Sequence, residues 1–233
     1  MTSNATPLSS PCSKVWWLWI PLVFFVLTMA MQILMPGDEV SRLLHERGPF
    51  ETLQAFLVGA AFLVGLTALL KLSPSRHRWL FVWIGGATLC AFYVTGEEIS
   101  WGQHLFHWTT PEEWMLINDH HETNLHNTSS WLDQKPRTLL EIGMLIGGLL
   151  IPGVKAFKPS LLPARFTIIY PPAILGVTAG LLWIVKGTKA LDDHIHVIGF
   201  QRVSELNEVY MYYFILLYMI VMKDRVKSLV RPS

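Results

Sequence analysis

Apolar residues gather into six stretches, 15–35, 51–70, 79–96, 138–154, 168–186 and 206–222, with polar segments between them. Roughly 20 apolar helical residues cross a bilayer core, so this pattern predicts six transmembrane helices. The fourth stretch, "TLLEIGMLIGGLLIPGV", is short and holds Glu141. The fifth contains Pro171-Pro172, which predicts a kink near its start. Gly143 and Gly147, and again Gly176 and Gly180, have the small-xxx-small spacing that lets membrane helices approach closely. The first stretch follows a lone Lys14 and lacks a small-x-small cleavage site, which predicts a retained anchor. The expected fold is all-α: a polytopic membrane bundle of about six transmembrane helices with an interfacial helix and polar outer loops, one integral membrane domain over residues 1–233.

Composition agrees with that expectation, because 52% hydrophobic against 15% charged residues falls outside the range of soluble globular domains. A formal net charge of +1 argues against a nucleic-acid partner, which calls for a strongly basic surface. The lipid bilayer is the expected partner. Cys12 in the N-terminal tail and Cys90 inside an apolar run are separated by the topology, so no disulfide framework is expected.

Charge then sets an orientation. Eleven of the eighteen Lys and Arg residues lie in the N-terminal tail, the 71–78 and 155–165 connections and the C-terminal tail, although these are the shorter exposed segments. The positive-inside rule predicts cytoplasmic termini, with segments 36–50, 97–137 and 187–205 on the outer side, periplasmic in a bacterium. Every Asp and Glu except Asp224, and every His except His77, falls in those outer segments or the adjoining helix ends. Any chemistry is therefore expected there, although longer loops also simply hold more polar residues.

Three outer segments carry candidate chemistry. In "GEEISWGQHLFHW", residues 96–108, a helix would put Glu97, Ser100, His104 and His107 on one face, with Gln103 at its edge and Glu98 to the side. Such a row suits a divalent metal or an acid/base pair, and equally an interfacial helix whose polar face meets headgroups. In "NDHHETNLHN", residues 118–127, Asp119 to Glu122 precede His126, and a helix would set Glu122 and His126 one turn apart as two ligands for one metal. Turn chemistry through Asn118, Asn124 and Asn127 is the alternative. In the third segment Gln201, Arg202, Glu205, Glu208 and Tyr212 share a helical face. Arg202 and Glu205 form the expected ion pair there, and Glu208, an acid inside a membrane helix, is a functional candidate. His194 and His196 alternate as they would in an extended segment, where solvation accounts for them.

The leading expectation is an enzyme with an outer-facing pocket. Its catalytic candidates are Glu97, Glu98, Ser100 and Glu208. Its metal ligands are His104, His107, Glu122 and His126, holding zinc by preference, and its reaction is hydrolysis or transfer on a lipid or lipid-linked substrate. Transport or ion translocation through Glu51, Glu141 and Glu208 is the alternative, as is a non-catalytic assembly or sensing protein.

"GEEISWGQHLF" with "ETNLHN", and "SELNE" at 204–208, resembles a signature of multi-pass bacterial inner-membrane proteins. That resemblance implies a bacterial inner-membrane location and brings no activity with it. Ser100 and His104 of "SWGQH" are similar in type to the CREST membrane hydrolases, which include alkaline ceramidases and use a Ser, an Asp and three His around zinc. Those proteins have seven helices and a late HxxxH, which this chain does not match, so the likeness concerns reaction type alone.

Overall fold

The computed structural model describes residues 12–45, 48–118 and 121–230, apart from six side chains that include those of His104 and His126. Asp119 and His120 lie outside the described residues. Six helices are long and apolar enough to cross a membrane, and no strand occurs among the described residues. They are α1 (Val15–Leu34), α2 (Pro49–Leu69), α3 (Arg78–Glu98), α4 (Gln134–Phe157), α5 (Ala173–Ile195) and α6 (Val203–Val230). The chain is a multi-pass helical membrane protein. Six crossings put both termini on one face of the bundle, the terminus face, and the long polar connections on the other, the loop face.

Composition decides which helix lies at the centre. α6 is the least apolar span and the most buried, whereas α1 is the most apolar and among the least covered. A helix that carries Glu205, Asn207, Glu208 and four tyrosines meets fewer costs inside protein than facing lipid. α2 and α5 pack along α6, and α3 packs on α2. Close approaches rest on single glycines. A Cβ at Gly65 would lie 2.3 Å from Thr88 Oγ1 and 2.4 Å from Met219 Cε, and one at Gly148 would lie 2.5 Å from the Cβ of Ala179.

The expected glycine pairs are half used. Gly147 meets Pro171 and Gly176 meets the Gly148 carbonyl oxygen, whereas Gly143 and Gly180 face open space. Pro171-Pro172 do not kink α5. They precede it, because proline disfavours helical backbone at the residue before it and is tolerated just ahead of a helix start, so α5 begins at Ala173 and runs on to Ile195. His196 ends α5 in left-handed conformation, so His194 and His196 do not alternate along an extended strand. Cys12 is buried, Cys90 is exposed, and neither is in a disulfide.

Several polar groups at the loop face bond to one another within the protein. Gln32 and Gln201 exchange two bonds, the Gln32 amide donating to the Gln201 carbonyl at 2.7 Å and the Gln201 N–H donating back at 2.9 Å. The Asp192 carboxylate accepts the N–H groups of Ile198, Gly199 and Phe200 at 2.7–2.9 Å, which folds the α5–α6 connection. Lys186 of α5 donates to Glu141 of α4 at 2.5 Å.

The glycine contacts give a paired prediction. Gly148→Ala drives a methyl into Ala179, which is anchored to backbone and cannot yield, and should cost about 1–3 kcal/mol. Gly143→Ala meets nothing and should be neutral or stabilising by up to ~1 kcal/mol. Thermal unfolding in detergent reads both, and equal effects would mean that the α4–α5 contact is not close.

Candidate functional site: two clusters at the loop face

α3 does not continue through the 97–107 row. It ends at Glu98, and Ser100, Trp101 and Gly102 follow with φ of 45°, 55° and 97°. A short helix then spans Gln103–Phe106, and His107 closes it at φ 55°. The expected single face of Glu97, Ser100, His104 and His107 therefore does not form. Left-handed backbone costs roughly 1–2 kcal/mol at each non-glycine residue, so local bonds must offset it.

Those bonds come from tertiary contact. The turn folds the Trp101 ring back over Gly96, where a Cβ would come within 2.8 Å of ring carbons. The Trp101 indole N–H donates to Glu97 Oε1 at 2.7 Å, and the ring packs edge-on to Phe92 and Tyr93 at 6.0 Å. Tyr93 also lies within electrostatic reach of the Glu97 carboxylate.

The second polar segment closes over this turn. Glu97 Oε2 accepts the Leu125 N–H at 2.7 Å. The Ser100 hydroxyl donates to Glu122 Oε2 at 2.6 Å, and the Asn124 amide donates to both, at 3.0 Å to Ser100 Oγ and 2.9 Å to Glu122 Oε2. Gln103 Oε1 accepts from the Thr123 N–H at 2.8 Å, and its amide donates to Thr110 at 2.7 Å. Asn118 supports the loop from within, donating to Asn124 and accepting the Glu122 N–H. Glu97, Ser100, Glu122 and Asn124 are all buried. These contacts form a clamp that fastens "ETNL" to the end of α3. Residues 121–125 are loop and a short 3-10 turn begins at His126, so Glu122 and His126 are not one helical turn apart.

Glu98, one residue on, faces the bundle instead. Its Oε1 accepts the Tyr212 hydroxyl at 2.7 Å. On the same stripe of α6, Glu208 forms an ion pair with Arg137 of α4, whose side chain is 25% exposed against 10% for Glu208. Tyr212 also lies within electrostatic reach of Glu208 and Arg137. Three spans thus contribute to one polar cluster at the loop end of the bundle. Glu205 takes a different partner again, accepting the Gln54 amide of α2 at 3.3 Å at its carboxylate and 2.9 Å at its carbonyl. Gln201 and Arg202 precede α6, Arg202 at φ 42°, so they do not share its helical face.

The three polar segments do meet, but in two clusters rather than one. Glu97, Ser100 and Glu122 belong to the clamp, and Glu98 and Glu208 to the bundle cluster. His107 is exposed, and the side chains of His104 and His126 lie outside the described residues. Among the described residues no group of three or more His, Cys, Asp or Glu is arranged to hold a metal ion. Sequence reasoning missed Arg137 and Tyr212 as partners. A basic residue at a helix start on the face otherwise poor in Lys and Arg was the available signal. No family model, curated protein or solved structure matches the chain.

The clamp predicts a local effect. Ser100→Ala or Asn124→Ala removes a donor from buried Glu122, costing about 1–3 kcal/mol that falls on the loop rather than on the spans. Limited proteolysis between residues 109 and 128 should rise several-fold while membrane abundance stays near normal. Unchanged cleavage would mean that the loop is held by other contacts.

Proposed function

We propose that the protein is a membrane-embedded hydrolase or transferase acting on a lipid or lipid-linked substrate at its loop face. In this reading that face is the periplasmic side of a bacterial inner membrane, an orientation that the distribution of Lys and Arg supports. One observation carries the reading: Glu98, Arg137, Glu208 and Tyr212 come from three spans to one place at a membrane boundary. Ionisable groups inside spans are costly, and a cluster of them points to function.

Each group has a role by its chemistry. Glu98, hydrogen-bonded to a phenol, is the general base, and Tyr212 delivers or holds the proton. Glu208 fixes the Arg137 guanidinium, whose planar N–H groups suit a phosphate or a developing negative charge. Glu97, Ser100 and Glu122 act as positioning residues, because their polar atoms are spent on the clamp that frames Glu98.

A metal-centred version of the same reading uses zinc on His104, His107, Glu122 and His126. The Gln103–Thr123 and Glu97–Leu125 bonds favour it, since each brings a position adjacent to a candidate histidine to the clamp. In that version the clamp, rather than the bundle cluster, supplies the nucleophilic water. The transport reading is less well supported: Glu141 and Glu208 are held in ion pairs with Lys186 and Arg137, and the terminus half of the spans holds no acid except Asp224.

The test uses purified protein in nanodiscs made from bacterial lipid extract, with lipids followed by mass spectrometry. Wild-type protein should convert a lipid species over time. Glu98→Gln should slow conversion by roughly 100-fold or more at near-normal abundance, and His77→Ala should not. No converted lipid, or full turnover in Glu98→Gln, would overturn the reading. Metal analysis of the same samples separates its two versions: about one equivalent of zinc, lost in His126→Ala, selects the metal centre.

A further inference from the structure

Cations meet carboxylates at one face of the bundle, and six of them lack one at the other. On the loop face Arg42, Arg137, Lys186 and Lys189 each meet an acid, at Asp38, Glu208, Glu141 and Asp193. On the terminus face, segments 71–78 and 155–172 carry Lys71, Arg76, Arg78, Lys155, Lys158 and Arg165 and no Asp or Glu. All six are exposed, and none is in an ion pair among the described residues.

Two aromatic rings bring these segments together. Trp79 of α3 and Phe166 pack edge-on at 5.9 Å, so Arg78 and Arg165, each the residue before a ring, flank one contact. The Arg165 guanidinium sits over the Phe166 ring at 4.5 Å, which restrains a long side chain without using its N–H donors. The connection that carries Arg165 is itself held to α6. The Tyr218 hydroxyl donates to the Ile169 carbonyl at 2.9 Å, and Arg225 donates to the carbonyls of Ile168 and Tyr170 at 2.6 and 2.8 Å. The Trp83 indole N–H donates to the same Tyr218 hydroxyl at 2.9 Å, which ties α3 to this point as well. Trp79 is 45% exposed at the terminus end of a span, where an indole meets the headgroup region of the bilayer. The arginines beside it therefore stand among lipid headgroups.

We infer that an anionic phospholipid of the terminus-face leaflet binds at this contact, its phosphate between Arg78 and Arg165 and its acyl chains beside Trp79. Guanidinium groups suit a phosphate because they offer paired N–H donors in one plane. Charge selects the lipid: six cations with no acid among them favour a headgroup of net negative charge. A zwitterionic lipid brings its own cation, which the patch repels. Orientation in the membrane would be served by lysines anywhere in these segments, and it does not call for two arginines set at an aromatic pair. The contact lies at the opposite end of the bundle from Glu98 and Tyr212, so the lipid here is a bound partner and not the substrate. Its binding requires no turnover.

Photo-crosslinking of the full chain in phosphatidylcholine nanodiscs tests the assignment. The probes are phosphatidylglycerol and phosphatidylcholine, each at trace level with a diazirine near the headgroup end of one acyl chain. Phosphatidylglycerol adducts on residues 79–83 and 161–166 should exceed phosphatidylcholine adducts several-fold. Trp16 and Trp19, exposed at the same end of α1, should show no such excess. Equal labelling by the two probes overturns the site and leaves the basic segments as an orientation signal. An excess of the same size at Trp16 and Trp19 means general attraction of anionic lipid and overturns it too. Arg78→Gln with Arg165→Gln should remove the excess, and Arg42→Gln on the loop face should not. Arg78→Lys with Arg165→Lys keeps the charge that orients the chain and should lower the excess several-fold, which serves even if the glutamine pair fails to fold. An undiminished excess in the lysine pair overturns the seating of the phosphate. Suppression by inorganic phosphate as effective as that by unlabelled phosphatidylglycerol would mean a free-anion site and overturn the lipid.

Discussion

A carboxylate carried into a bilayer on a helix must find its donors within the protein, and α6 carries two. That constraint organises the loop face. Glu205 takes Gln54 from α2, Glu208 takes Arg137 from α4, and Tyr212 one turn on reaches back to Glu98 of α3. Each bond is directional, so together they fix which neighbour stands where around the central helix. Lipid offers no hydrophobic drive for apolar helices to associate, which gives such bonds unusual weight in selecting one arrangement. At the other end of the bundle the same helix is held by shape, through Met219 against Gly65 and Phe214 against Gly148. One end is therefore specified by polar pairing and the other by close packing.

The helices themselves were legible in the sequence because a run of apolar residues has few alternatives in a membrane. Boundaries shifted where local rules competed. The proline pair was expected to kink α5 and instead precedes its start, and polar residues expected in loops extend α5 to Ile195. The row from Glu97 to His107 misled for a different reason. Helical periodicity is readable only if the helix continues, and Gly102 alone gave little warning that Ser100 and Trp101 would turn left-handed. What makes that turn tenable is a loop some twenty residues later, which donates Leu125 N–H to Glu97 and accepts the Ser100 hydroxyl at Glu122. Such offsets are tertiary and leave no periodic trace. Glu208, in contrast, was conspicuous by cost alone, even though its partner Arg137 was not.

Two adjacent glutamates at a helix end acquire separate roles because successive residues project 100° apart. Glu97 turns toward the returning loop and Glu98 toward α6. This division answers why so polar a sequence follows so apolar a helix: the first glutamate binds the loop that covers the helix end, and the second uses the shelter so created. Ser100 and Glu122, chemically the more suggestive pair, are buried against Asn124 and belong to the cover. Side-chain type alone would have ranked them above Glu98 and Tyr212. Their geometry reverses the ranking, since the Ser100 hydroxyl and Glu122 Oε2 are spent on each other and on Asn124.

The clamp and the bundle cluster also depend on each other mechanically. α3 is anchored along α2, and hydrogen bonds tie it to α6 at Glu98–Tyr212 and Trp83–Tyr218, so side-chain bonds set the freedom of its loop end. The clamp limits that freedom by tying Glu97, Ser100 and Gln103 to the loop that runs on toward α4. The Glu98–Tyr212 bridge can then join the loop ends of α3 and α6 at a fixed spacing. A chain built this way keeps its polar groups within bonding distance of one another, so the buried hydrogen bonds at the loop face position α3 against the central helix as much as they stabilise the fold.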